Sequence, residues 1–437
     1  MVIKTYEVEN EFNHISNEIY RLLHPKEVDK LAKDANFIRR QKKLRAPDFL
    51  DMCCFSSHAG KMTLNDLTAH LAKTSGTHLT GEAMNQKFNE SASDFMKAVY
   101  KRIFELNFLE ERLPFLEDFR RVLILDSSSF SVPGSAVKNQ LEYDLLTGNF
   151  TQMKVQKQTE ADVTFGNDIL HSYQPGDLCI RDLGYFSLKH FETLDAHGAY
   201  FLSRLKTYNK IYLRGSQEDW YLTTLEELSE GLKEGESKEV EAFIGTKYKL
   251  PVRLLIFHLT AEQLKNREDH LARKKKKKGA TAITPQHQKT KHLNVLITNL
   301  PHQNISREGI YQLYSLRWQI EILFKTWKSL FEINKMRDIK KERFECALYG
   351  KLIAILIAQT LTFKIKTLLY RRKMKETSDY KSMAIMKEYF SSFYDCIRKS
   401  RRKLLGHIYS LYLTIEKNGT KSKRKGTKTA FQILAEL

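Results

Sequence analysis

The sequence predicts an α/β protein with helical ends, on three observations. Two short apolar runs each lead into an aspartate: Val122 to Leu125 before Asp126, and Leu178 to Ile180 just ahead of Asp182. The first hundred or so residues carry few period-two alternations and little Gly or Pro. An amphipathic segment from Tyr314 to Lys328 opens a second, mostly helical stretch.

A chain of 437 residues has room for two or three domains at roughly 150 residues each. Its 42% hydrophobic and 11% aromatic residues are those of a folded globular protein. The net charge of +20 points to a polyanionic partner, with nucleic acid ahead of a membrane surface. No basic segment followed by an apolar run and a small-residue cleavage site opens the chain, so no secretion signal is read. The cysteines Cys53, Cys54, Cys179, Cys346 and Cys396 form no CxxC pair, which fits a reducing cytoplasm and argues against structural zinc or a disulfide framework.

In chain order, the first motif is MTLNDLTAHLAKTSGTHLTGEAMNQKFN. It reads as a helix from about Thr63 to Lys73, a turn through Ser75 and Gly76, and a second helix from about Thr80. Thr63 followed by Asp66 is an N-cap arrangement, and Gly76 suits the turn. A helix-turn-helix of this kind would place Asn85, Gln86 and Lys87 near base edges or phosphates. Plain helical bundles carry the same punctuation, so the motif leaves both readings open.

At RRVLILDSSSF the character changes. Val122 to Leu125 reads as a buried strand that delivers Asp126 at its end, with three serines breaking it. Leu141 to Leu146 and Asn149 to Val155, separated by Thr147 and Gly148, read as a hairpin. In GDLCIRDLGYF a second strand precedes Asp182, and Gly184 permits a turn directly after it. A strand at Tyr200 to Arg204 follows, then KIYLRGSQEDWYL, EVEAFIG and KLPVRLLIFHL as further strands and Ala261 to Lys274 as a helix. Arg273 to Lys278 is an unbroken basic run continuing into GATAITPQHQK, which has loop composition. As a solvated loop, Arg273, Lys274, Lys275 and Lys276 can still engage a DNA backbone through counterion release. Leu293 to Ile297 is a strand ending by Asn299. Beyond the amphipathic segment, Ala347 to Phe363 reads as a buried helix, its longest apolar run, Leu352 to Ala358, being too short to span a bilayer. The chain ends near the basic stretch KNGTKSKRKGTK, and no internal repeat is visible.

Within YSLRWQIEILFKTWK, Tyr314, Arg317, Glu321 and Lys328 fall within about 60° of one another at about 100° of rotation per residue. Leu313, Leu316, Ile320, Leu323, Trp327 and Leu330 fill the neighbouring arc and anchor the helix. An ordinary surface pair between Arg317 and Glu321 is the competing reading. Each aspartate alone is equally compatible with a strand terminator or a helix cap. Together, two strand carboxylates and one helix carboxylate form a hard-oxygen donor set for Mg²⁺, and a pair of ions about 3.5–4 Å apart serves in-line displacement at phosphorus. Asp126 would bridge such a pair. Arg317 would contact phosphate as a two-pronged donor and Lys328 as a point charge, while Tyr314 would donate a hydrogen bond to phosphate or stack on a base.

The spacing of these four residues is the Y-x2-R-x3-E-x6-K signature, and with VLILDSSSF and CIRDLGYF it resembles the DDE transposases of the insertion sequence four family. The match runs from about Val122 to Lys328 in the family's order. The resemblance implies a ribonuclease H-like catalytic core over 116–205 and 293–365, interrupted by a mainly β insertion over 206–292. A helical N-terminal DNA-binding domain would span 1–115 and a helical C-terminal region with a basic tail 366–437. It implies catalysis by Asp126, Asp182 and Glu321, which would also hold Mg²⁺ with Mn²⁺ as a substitute. Tyr314, Arg317, Lys328 and Lys325 would meet double-stranded DNA, both the terminal inverted repeats and the target. It further implies a homodimer in the paired-end complex, no membrane, a bacterial cytoplasmic and nucleoid-associated location, and cut-and-paste chemistry through a hairpin. One departure is that KHLNVLITNL lacks the tryptophan that some relatives place before the glutamate helix; Trp220 in the insertion is the candidate substitute. A catalytically inactive end-binding repressor and a structure-selective nuclease of the same fold are the rival readings.

Overall fold

The two apolar runs that lead into aspartates lie side by side as parallel strands. The computed structural model describes residues 8–38, 43–55, 63–106, 112–132, 135–215, 219–278, 289–335, 339–422 and 428–437. Among the described residues, ten strands form one sheet: β1 (Arg121–Val132), β2 (Ser135–Asp144), β3 (Phe150–Lys157), β4 (Asp177–Arg181), β5 (Tyr200–Arg204), β6 (Ile211–Arg214), β7 (Trp220–Thr223), β8 (Ser237–Ile244), β9 (Leu250–His258) and β10 (Leu293–Thr298). Their order is β3-β2-β1-β4-β5-β10-β9-β8-β6-β7. The β1–β4 and β4–β5 pairs are parallel, and the remaining pairs are antiparallel.

Both faces of the central strands are buried, which is why they read as unbroken apolar runs. Val122 and Ile124 point into one apolar cluster, Leu123 and Leu125 into the other. The first cluster joins the sheet to a 33-residue helix, Lys341–Lys373, and to the N- and C-terminal helices. That helix is long and apolar enough to cross a membrane, but its apolar window is 94% buried inside the protein. Glu90–Phe104, Ala46–Cys54 and Asp379–Lys399 pack on it. Gly350 permits the approach of Ala46–Cys54, since a Cβ there would lie 2.3 Å from the Cys53 carbonyl oxygen. The second cluster lies under the short helices Asp162–Asp168 and Leu188–Ala196.

Several sequence expectations are met and several are corrected. The hairpin forms as β2 and β3, its turn fitted by Gly148 at φ 74°, where a Cβ would strike the Phe363 ring at 2.2 Å. The capping box of Thr63 and Asp66 starts the helix Leu64–Ser75, Gly76 ends it in a left-handed conformation, and Thr80 caps Gly81–Lys87. The three serines do not break β1. Ser127, Ser128 and Ser129 stay extended because β2 pairs with them through Gln140, Asn139 and Lys138. The strands read in 206–292 prolong the same sheet, β9 pairing with β10. The basic run is helical in backbone, because the helix Ala261–Lys278 continues past the predicted end. The Tyr314–Lys328 segment is two helices, Arg307–Ser315 and Trp318–Leu330. Between them tighter bonds run from Leu316 N to Leu313 O, Arg317 N to Tyr314 O and Gln319 N to Leu316 O.

Candidate active site

The β1–β4 ladder ends with Leu125 level with Arg181, so the next residues on the two strands are Asp126 and Asp182. Parallel pairing thus delivers both carboxylates at the same edge of the sheet. β1 runs on beside β2 alone, and the space vacated past the end of β4 is where the two aspartates meet the helix Trp318–Leu330. That helix buries Ile320, Leu323, Phe324 and Trp327, which fixes its outer face and leaves Glu321 part-exposed towards the aspartates.

Arg317 ties the three carboxylates together. Its Nη2 lies 2.8 Å from Glu321 Oε1, its Nη1 3.5 Å from Asp126 Oδ2 and its Nε 3.9 Å from Asp182 Oδ1. Asp126 is the most enclosed of the three, and burial pushes its carboxyl up to about 7; the Ser127 N–H and Arg317 oppose that shift, while Asp182 and Glu321 add to it. The Ser127 N–H holds Asp126 Oδ1 at 2.7 Å, leaving Oδ2 turned towards the guanidinium. The donor set, three carboxylate oxygens and a crowd of negative charge around Asp126, fits a hard divalent cation. Among the described residues no three His, Cys, Asp or Glu side chains stand close enough to hold one ion as placed. Here the guanidinium lies between them.

The remaining predicted residues separate into near and far groups. Lys328 Nζ donates to the Ser129 carbonyl at 3.0 Å and lines a cleft of about 340 Å³ with Ser129, Phe130, Gln158 and Asn334. Burial lowers its pKa. Tyr314, on the preceding helix, has a buried hydroxyl; burial pushes its pKa upward, with Asp182 adding to the shift and Arg317 opposing it, so the phenol stays protonated at the Arg317 end of the site. Lys325 is exposed, its Nζ 4.0 Å above the Trp318 ring. Arg273 is exposed near the end of its helix, and the side chains of Lys274, Lys275 and Lys276 lie outside the described residues. Trp220 is 40% exposed on β7, an edge strand, with its ring under Lys249 Nζ at 4.0 Å. Six strand positions separate β7 from β4 in the sheet order, which sets Trp220 on the edge strand far along the sheet from the two aspartates.

Two features escaped the sequence reading. Trp318 is 46% exposed one turn before Glu321, and the apolar-arc pattern on its helix could have flagged it as an outward-facing aromatic. Beneath Asp182, Arg181 is wholly buried, paired to Glu142 Oε1 at 3.0 Å and hydrogen-bonded to Tyr173. No local spacing announces that pair, which links residues far apart in the chain.

Comparison with known proteins finds a family model and several relatives. The family model described as "Transposase DDE domain" matches residues 117–357, which include all three carboxylates. The chain is 34% identical over 459 residues to the transposase for insertion sequence element IS231E of Bacillus thuringiensis subsp. finitimus, covering 98% of this chain and 96% of that protein. It is 32% identical over 456 residues to the transposase for insertion sequence element IS1151 of Clostridium perfringens, covering 96% of each. Among solved structures, the piggyBac transposase synaptic complex with hairpin DNA aligns at a TM-score of 0.45 and 11% identity, over 94% of this chain and 86% of that one.

Proposed function

The chain belongs to the DDE-domain transposases, in the insertion sequence four group, and from that premise we propose that Asp126, Asp182 and Glu321 are its catalytic carboxylates. It is a metal-dependent enzyme of DNA cleavage and strand transfer. The observation that carries the residue assignment is the convergence of the three carboxylates on Arg317 at the open end of the β1–β4 ladder.

Asp126, Asp182 and Glu321 would hold divalent ions, Mg²⁺ with Mn²⁺ as a substitute. When bound, such ions acidify the attacking water or 3′-hydroxyl and neutralise the leaving oxygen during in-line displacement. Asp126, placed on β1 with one oxygen held by Ser127, would be one of the residues that hold such an ion. Arg317 supplies a planar fork for a phosphate, and Lys328, held against β1, a point charge on the same side. Trp318 offers an exposed ring one turn from Glu321 for an unstacked base, which would support a hairpin step better than Trp220 does.

The strand order β3-β2-β1-β4-β5 supports a ribonuclease H-type core over 116–205 and 293–365. The strands of 206–292 form the insertion, with the helical segments 1–115 and 366–437 around them. The capped helices Leu64–Ser75 and Gly81–Lys87 are the proposed reader of terminal inverted repeats, with Asn85, Gln86 and Lys87 unburied. Lys325 and the basic helix end at Arg273 would add backbone contacts to repeat and target DNA. Two copies would pair the ends in the bacterial cytoplasm.

Strand cleavage of labelled DNA from the two flanks of the gene, with Mg²⁺ or Mn²⁺, compares the intact protein with Glu321→Gln. Cutting at the repeat boundary that the variant lacks supports the assignment. End binding without cutting by either protein, under any metal condition, favours the inactive repressor instead.

A further inference from the structure

The Arg317 guanidinium turns a different nitrogen to each of three carboxylates, Nη2 to Glu321, Nη1 to Asp126 and Nε to Asp182. Its side chain is only 16% exposed, so this is an enclosed position rather than a passing surface contact. The other basic residue of the face, Lys328, is tied to the Ser129 carbonyl. With all three carboxylates ionised, one guanidinium leaves a net charge of −2. An Mg²⁺ ion needs oxygen ligands at about 2.0–2.1 Å. Carboxylates that each face a guanidinium nitrogen cannot close on an ion in the same space.

We propose that Arg317 is a built-in counter-cation of the metal site, which must withdraw before metal enters and whose alternative partner is a phosphate of the DNA end. The inference rests on reading the three carboxylates as metal ligands. Metal entry releases a guanidinium towards the DNA, and a phosphate that draws the guanidinium out opens the carboxylates to metal. By linkage the two bindings strengthen each other by the same factor. Arg317 sits at the junction between the helices Arg307–Ser315 and Trp318–Leu330, where α-helical bonding gives way to tighter turns. Its long side chain can reach outward from there without unwinding the helix that carries Glu321. Arg317 acts here as a positioning residue, gating the carboxylates in addition to gripping phosphate.

The test is Mn²⁺ affinity of the full chain, measured by calorimetry or by the free-ion electron paramagnetic resonance signal, without DNA and with a duplex carrying the element's end. Wild type, Arg317→Gln and Arg317→Lys are compared. Without DNA, Arg317→Gln is expected to bind Mn²⁺ about tenfold more tightly than wild type, within the usual range of coupling between sites. Arg317→Lys, with a shorter and narrower cation, falls between them and carries the test should the glutamine variant not fold. The duplex raises Mn²⁺ affinity in every protein because its phosphates are themselves ligands, but the gain is larger in wild type than in Arg317→Gln. In the absence of metal, Arg317→Gln melts at a lower temperature than wild type and recovers on adding Mn²⁺. A DNA-free affinity that is unchanged or weaker in both variants, while an Asp126→Asn control measured alongside them loses Mn²⁺ binding, overturns the counter-cation role and leaves the metal site standing. Absence of Mn²⁺ binding in all the proteins, with and without DNA, overturns the metal-ligand reading as well.

Discussion

Lys328 donates a 3.0 Å hydrogen bond to the carbonyl of Ser129, three residues beyond Asp126 on the same strand. The bond pins Lys328, in the last turn of the Glu321 helix, to the strand that carries the most enclosed carboxylate. It also leaves the ammonium with spare donors at the mouth of a cleft. Lys328→Ala is therefore expected to weaken binding of the cut DNA end several-fold and to reduce the slope of log affinity against log salt by about 1. Mn²⁺ affinity without DNA should stay as in wild type. Equal loss of both affinities in titrations at several salt concentrations would mean that Lys328 serves the metal site instead.

Glu142 and Arg181 form an ion pair with essentially no solvent contact, and Tyr173 donates a 2.6 Å hydrogen bond to the same carboxylate oxygen. Arg181 is the residue before Asp182, so this buried network sets the end of β4. Glu142→Gln leaves a buried guanidinium without its counter-charge, at a cost of about 3–5 kcal/mol. Chemical denaturation should show that loss, and a double variant that also carries Arg181→Met should recover much of it. If the double variant is as unstable as the sum of the two single ones, the pair is not coupled as the geometry indicates.

Much of the site was legible because it depends on local patterns. Apolar runs marked β1 and β4, and parallel pairing between runs of that kind brings Asp126 level with Asp182. The spacing of Glu321 and Lys328 survived because both lie on one unbroken helix. Tyr314 lies on the preceding helix rather than on that of Glu321 because the bonding tightens at Leu316 and Arg317, and side-chain periodicity carries no trace of that change. The serines after Asp126 looked like a strand end, yet pairing with β2 along one edge keeps them extended. Likewise β6 to β9 were readable as strands, but their attachment through β9 to β10 is a long-range pairing that no local pattern encodes. The position of Arg317 among three carboxylates needed coordinates, since its spacing to Glu321 equally describes a surface pair.

Asp51 offers a pH test of how the N-terminal helices dock on the C-terminal ones. It lies on Ala46–Cys54 with a side chain 15% exposed, 3.7 Å from Arg398 of Asp379–Lys399. Burial pushes its carboxyl up to about 6, with Arg398 opposing and Asp395 and Asp48 adding to the shift. Arg398 is already engaged by Asp48 at 2.8 Å, so it neutralises Asp51 only in part. An unfolded chain releases this proton near pH ~3.9, whereas the folded protein keeps it until about pH 6. Between those values the folded state binds more protons, so the contribution of Asp51 to stability declines as pH rises and remains unfavourable above pH 6. Asp51→Asn removes the buried charge and should stabilise the metal-free protein by about 1–3 kcal/mol at pH 7.5, with little change near pH 4. Thermal unfolding of both proteins across that range measures the difference directly. A gain of equal size at both ends of the range would show that the charge of Asp51 is not what burial penalises, and a loss at pH 7.5 would show that its attraction to Arg398 outweighs its desolvation.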